Sequence, residues 1–240
     1  MGLWRPFDRR AFDKLDSRSK GWVAQEAHRR RGLLPERFCS SVLLSYPRSG
    51  NHLLRFLVEY ATRRPTLGAI DAETSPIPLG LHDLPIFLRV KGMRAANPLP
   101  ILVKRHSLFP DESFAKTILL VREPIEAILS HLKHDSDEDF EKNVHREVAI
   151  FAENLRVFDL EPSVSKLRVE YSQLTTDPGA ALHAVLSFLD ASTLTSRARA
   201  KAAVLKRSLA YTSLERPDAR GAQKYRDLFP DRADYLRSML

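Results

Sequence analysis

Apolar positions change their period along this chain, and the changes mark its elements. Ser41-Val42-Leu43-Leu44-Ser45 is a short β-prone run, and Leu53, Leu54, Phe56 and Leu57 behind it recur at helical spacing. The pattern predicts a strand over about 42–45, a turn through Pro47 to Asn51, and a helix that Pro65 stops after Arg63-Arg64. Ile101-Leu102-Val103 predicts a strand that delivers Lys104 and His106 at its end. Thr117 to Arg122 is a continuous apolar run of the kind found in parallel strands covered on both faces. Pro124 suits the first turn of the next helix, which carries Ile125, Ile128, Leu129 and Leu132. Phe140, Val144, Val148, Phe151, Leu155 and Phe158 predict a long amphipathic helix over 138–159. Lys166 to Tyr171 reads as another strand, and Asp177-Pro178 opens a helix containing Leu182, Val185, Leu186 and Leu189. A helical pattern continues over about 196–208 and becomes irregular at Pro217 and Gly221.

Strands alternating with helices imply an α/β fold, a central and mostly parallel sheet flanked by helices in three layers. In such sheets ligands collect at the carboxyl ends of the strands. The length suits a single domain over 38–240, preceded by a basic arm over 1–37 that contains Trp4 and Trp22 and packs on the domain. Residues 65–100 hold Pro65, Pro76, Pro78, Pro85, Pro98 and Pro100 with several glycines, poor material for long elements and normal for a surface excursion.

Charge narrows the partners. With 38 Lys and Arg against 30 Asp and Glu, the net charge of +8 steers anions toward the protein. Cysteine/histidine metal spacing, a helix-turn-helix and interleaved aromatic–basic repeats are missing from the sequence, so a nucleic-acid module is the weakest reading. Arg29-Arg30-Arg31 reads as a solvated basic face. No run of about twenty apolar residues offers a membrane span. Met1 to Arg10 shows no apolar leader, and the lone Cys39 has no internal disulfide partner. These features lead to the expectation of a cytoplasmic protein.

The strand–turn–helix at Ser41 to Leu57 is where the chemistry is expected. Such a unit aims backbone N–H groups and a positive helix end at one point, where an anion can sit. Gly50 lets the backbone approach that anion, and Arg48 adds a full charge. Three stretches together then resemble the sulfotransferases that use 3′-phosphoadenosine 5′-phosphosulfate (PAPS). Tyr46-Pro47-Arg48-Ser49-Gly50-Asn51-His52 is similar to their 5′-phosphosulfate loop, commonly Tyr-Pro-Lys-Ser-Gly-Thr-Thr. Lys104-Arg105-His106 resembles their Lys-x-His element, and Arg122 with Ser130 resembles their 3′-phosphate pair at the family spacing.

The resemblance covers about residues 40–230 and implies a P-loop-type fold, PAPS as donor, 3′-phosphoadenosine 5′-phosphate (PAP) as product, and no metal. It implies that Arg48 lies near the leaving-group bridge and that Ser49, Gly50, Asn51, His52 and Leu53 line the nucleotide. It implies that His106 is the general base, with Lys104 neutralising the transferring group, and an imidazole suits that task near neutral pH. Tyr171, at the head of Tyr171-Ser172-Gln173-Leu174, either touches the adenine or is core. Thr212-Ser213-Leu214 is similar to the family's Thr-Ser-Phe, and Arg220-Gly221 to its Arg-Lys-Gly closing element. Leu53 and Leu214 stand where aromatic residues usually sandwich the adenine, so two stacking contacts are aliphatic here.

Two other readings stay open. A P-loop kinase or triphosphatase needs Gly-x4-Gly-Lys-Ser/Thr, whereas Ser45 replaces the first glycine and Asn51-His52 replace the lysine and the magnesium-binding hydroxyl. A non-catalytic nucleotide-binding protein of the same fold would bind nucleotide with His106 idle. The acceptor, a small molecule or glycan reached through 65–100, has no signature in the sequence, and a homodimer is compatible with it.

Overall fold

The structure, a computed structural model, describes residues 40–64, 66–68, 101–107, 114–160, 165–206 and 225–240. The expected arm over 1–37, nearly all of 65–100, and Thr212, Leu214, Arg220 and Gly221 lie outside the described residues.

Among the described residues, five parallel strands form one sheet: β1 (Ser41–Ser45), β2 (Thr66–Gly68), β3 (Leu102–Arg105), β4 (Lys116–Val121) and β5 (Ser165–Glu170). Their spatial order is β2-β3-β1-β4-β5. The chain fills one side of β1 first and then crosses it between β3 and β4. The carboxyl ends of β1, β3 and β4 therefore flank the switch point of the sheet. Val42 pairs with Val103 on one side and Thr117 on the other, so the three strand ends come out level.

Alternation along the strands assigns two cores. Leu43, Ile118, Leu120 and Val169 face one layer, packed with Leu54, Leu57 and Leu182 from α1 (Asn51–Thr62) and the helix Pro178–Phe188. Val42, Leu44, Leu119 and Val121 face the other, against Ile128 of α2 (Pro124–Leu132) and Phe140, Val144 and Phe151 of α3 (Asp137–Leu160). The expected three-layer α/β architecture is thus present.

Local chemistry explains the boundaries. Gly50 is the left-handed N-cap of α1, and the helix closes on Arg63, also left-handed, whose N–H returns to the Glu59 carbonyl at 2.9 Å. Glu123 caps α2 by accepting from the Ile125 and Glu126 N–H groups, with Pro124 in the first turn. Tyr171 does not end β5, as the apolar pattern suggested. It opens α4 (Tyr171–Thr176), because Glu170 and Gln173 form a reciprocal capping box there. Asp177 caps α5 (Pro178–Phe188) through the Ala180 N–H at 3.0 Å. After α6 (Leu194–Lys206), the described chain resumes in α7 (Tyr225–Leu228) and α8 (Pro230–Arg237); α8 joins the core of α2 and α3 through Ala233 and Leu236, and Tyr225 of α7 packs half-buried against it. The buried stripe of α3 runs through Phe140, Val144, Glu147, Phe151, Asn154 and Phe158, while Val148 and Leu155 are only half-buried.

Candidate functional site

The turn after β1 sets the site. Arg48 has a φ of 66° and Gly50 a φ of 96°, so the backbone twists twice through the left-handed region before α1 begins. For arginine that conformation costs about 1–2 kcal/mol, and the fold holds it by a bond from Arg122 Nη1 to the Arg48 carbonyl at 3.1 Å. At Gly50 glycine is required twice over. A Cβ there would lie 2.6 Å from Cδ2 and 2.8 Å from Cε2 of the Tyr171 ring. No side chain caps α1, and its first turn has no acidic residue to meet the positive helix end. Ser49 Oγ and Asn51 Oδ1 are buried without a hydrogen-bond partner. Polar groups are seldom buried unpaired unless something else satisfies them, and a hydroxyl can donate to an anion's oxygen.

His106 follows β3 directly and lies half-buried at the same strand end. Its Nδ1 is 2.7 Å from the Ser45 carbonyl. A carbonyl only accepts, so Nδ1 carries the proton and Nε2 presents a lone pair. Burial pushes the imidazole down to about 3, with help from Lys104, His131 and Arg55, against the raising effect of the Ser45 bond. The ring is therefore neutral throughout the ordinary pH range. Lys104, beside Leu43 of β1 and Gly68 of β2 in the sheet register, is buried.

Arg122 emerges after β4. Its guanidinium lies 4.9 Å from the centre of the Tyr171 ring and 5.7 Å from that of Tyr225, and Nη2 meets Glu126 at 3.3 Å. Glu126 also accepts from the Tyr225 N–H at 3.0 Å and the Arg226 N–H at 3.4 Å, which ties α7 to the site. Ser130 faces back toward the strand ends, where its Oγ receives Arg48 Nε at 3.1 Å.

The structure thus brings Arg48, Ser49, Gly50, Asn51, His106, Arg122, Ser130 and Tyr171 to the carboxyl edge of the sheet, with buried Lys104 close behind and His52 in the first turn of α1. Leu53 is placed differently. It is 2 % exposed and belongs to the core beneath the loop. Sequence reasoning missed a cluster one layer away. Tyr46 donates its hydroxyl to Glu147 Oε2 at 2.8 Å, Arg146 meets Glu147 Oε1 at 3.0 Å, and His131 Nε2 lies 3.7 Å from Glu147 Oε2. Desolvation and the Glu147 charge hold the Tyr46 phenol well above its ordinary range. The available signal was a carboxylate falling on the buried stripe of α3, between the apolar Val144 and Phe151.

The described residues form a doubly wound parallel sheet with a glycine-containing loop, a histidine and an arginine at its switch point. Among the solved structures similar to the chain are two sulfotransferases. Mouse sulfotransferase SULT7A1 complexed with PAP is 20 % identical, with a TM-score of 0.47 over 73 % of this chain. This chain spans 65 % of that protein, just under two thirds of its length. The sulfotransferase domain from the Synechococcus PCC 7002 olefin synthase is 21 % identical, with a TM-score of 0.48 over 83 % of this chain and 87 % of that one. No protein-family model and no curated protein matches the chain. Among the described residues no helix is long and apolar enough to cross a membrane.

Proposed function

We propose that this protein is a sulfotransferase that moves a sulfo group from PAPS to a hydroxyl or amine acceptor by in-line displacement. The observation that carries the reading is His106, pinned through Nδ1 to the Ser45 carbonyl at 2.7 Å. That bond leaves Nε2 with its lone pair and ties the ring to the last residue of β1, the strand that feeds the Arg48–Gly50 turn. The residues of the turn fit an anionic group: two left-handed residues, an uncapped helix start, and buried Ser49 Oγ without a partner.

The donor supplies a sulfo group on a good leaving group. The protein orients it and handles one proton. His106 takes the acceptor's proton at Nε2 as the acceptor oxygen bonds to sulfur and the sulfur–oxygen bond to the 5′-phosphate breaks, leaving PAP with that electron pair. Negative charge bound beside His106 favours its protonated form, so the base strengthens once the donor is in place. Arg48 and Lys104 balance the charge that builds on the leaving phosphate and the transferring group. Arg122 and Ser130 hold the 3′-phosphate. Ser130 accepts from Arg48 and still has its hydroxyl proton to donate.

Calorimetric binding of PAP against ATP, with and without magnesium, tests the donor class. Magnesium-independent binding of PAP with little binding of ATP is expected, and an ATP preference that needs magnesium would replace this reading with a kinase. Replacing His106 by Ala is expected to lower turnover about 10²–10⁴-fold while PAP affinity changes little. Equal losses in both would make His106 structural.

A further inference from the structure

The cluster behind the loop has a charge pattern that the transfer reaction does not use. Glu147 is 3 % exposed, yet it carries a carboxylate. Tyr46 and Arg146 each donate to it, and His131 stands 3.7 Å away with its ring edge-on to Tyr46 at 5.8 Å between centroids. His131 follows Ser130, the residue that receives Arg48 Nε. One imidazole thus stands against a buried carboxylate on α3 and against Tyr46 at the head of the anion loop, next in sequence to the partner of Arg48, and its side chain remains 36 % exposed to take or lose a proton.

We propose that His131 is a switchable cation of the anion site: an anion that settles at the Arg48 turn is bound together with one proton, which the His131 imidazole takes up. The inference rests on the anion site of the proposed function and adds a binding residue to it. Every element around the ring contributes a sign. Glu147 on α3 and Asp135 in the turn after α2 favour the imidazolium, whereas burial, Arg48 on the loop and Arg146 on α3 oppose it and win in the free protein. His106 at the end of β3 interacts with His131 as well, and it is neutral. An anion on Arg48 cancels the largest opposing charge and adds an attraction of its own. The balance then tips toward the protonated ring, Glu147 serves as its counter-charge, and the anion gains a second cation. By linkage, affinity for the anion rises as pH falls through the window between the free and bound values of His131.

The probes are adenosine 5′-phosphosulfate and inorganic sulfate, whose charges stay constant near neutral pH. Calorimetry in two buffers of different ionisation enthalpy reads the protons taken up. Wild-type protein is expected to take up a proton fraction on binding either probe, and its affinity for adenosine 5′-phosphosulfate is expected to fall about three- to tenfold from about pH 6 to 7.5. His131→Gln is expected to bind with neither effect, and Glu147→Gln to move the uptake to lower pH. In the wild-type protein, the imidazole resonance of His131 is expected to titrate at higher pH with the probe than without it. Equal uptake in wild type and His131→Gln, or an unmoved His131 titration, would overturn the inference and leave the nucleotide reading standing. His131-dependent uptake with sulfate, and adenosine 5′-phosphosulfate no tighter than sulfate, would support the inference and remove the nucleotide. Binding of neither probe would overturn both.

Discussion

Replacing Gly50 by Ala tests the geometry on which the anion loop depends. Two costs add. A non-glycine residue at φ 96° pays about 1–2 kcal/mol of backbone strain, and overpacking against a neighbour costs about 1–3 kcal/mol. The neighbour is the Tyr171 ring, 2.6 Å from the new Cβ. That ring can swing away, but it then leaves the Arg122 guanidinium 4.9 Å from its centre, a contact worth about 0.5–1 kcal/mol or more. Reduced freedom of the unfolded chain returns about 0.4–1 kcal/mol. The net expectation is a destabilisation of roughly 2–4 kcal/mol, equivalent to roughly 4–16 °C in Tm for a chain of this size. Urea denaturation of Gly50→Ala, Tyr171→Ala and the double variant separates the terms. The clash predicts a coupling energy of about 1–3 kcal/mol in that cycle, because removing the ring rescues the packing cost and leaves the backbone cost. A coupling below about 0.5 kcal/mol, the usual limit of additivity, would show that the ring does not lie on Gly50. Unchanged stability of the single variant would also refute the left-handed turn.

Three further outcomes follow from single contacts. His106 binds its proton far less readily folded, at about 3, than its ordinary 6.5, so the unfolded chain takes up a proton that the folded one refuses. Its contribution to stability is complete above about pH 6.5 and declines as pH falls toward about 3. His106→Asn is therefore expected to lose less stability than wild type between pH 7.5 and 4.5 in urea titrations, and an identical loss would remove the desolvated imidazole. Glu126→Ala takes away the acceptor of the Tyr225 and Arg226 N–H groups. Amide exchange in α7 is expected to speed up by the equivalent of about 1–3 kcal/mol, and unchanged protection would deny the tether. Asp177→Ala removes the α5 cap at Ala180, with an expected cost of about 1 kcal/mol that Ser at the same position largely restores.

What the sequence determined by itself is local. The sequence pattern placed all the strands but β2 to within a residue or two, and β4 reads most plainly because a parallel strand covered on both faces is a continuous apolar run. Pro124 and Asp177 marked helix starts because capping is decided within one turn of chain. At Tyr171 the apolar pattern loses to the capping box formed by Glu170 and Gln173, a local signal that the sequence itself carries. The anion loop and His106 were also legible, since residue type and order near a strand end already carry their chemistry.

Tertiary structure alone decided how those pieces meet. Arg48 meets Ser130 across 82 residues, His106 meets the Ser45 carbonyl across 61, and Tyr46 meets Glu147 across 101. None of these distances follows from local spacing, because the order β2-β3-β1-β4-β5 is set by which faces bury most apolar surface together. The same order buried Leu53 in the core and brought Glu147 beneath His131. Local chemistry named the groups that could act on an anion, and the packing of the layers determined which protons and charges they hold.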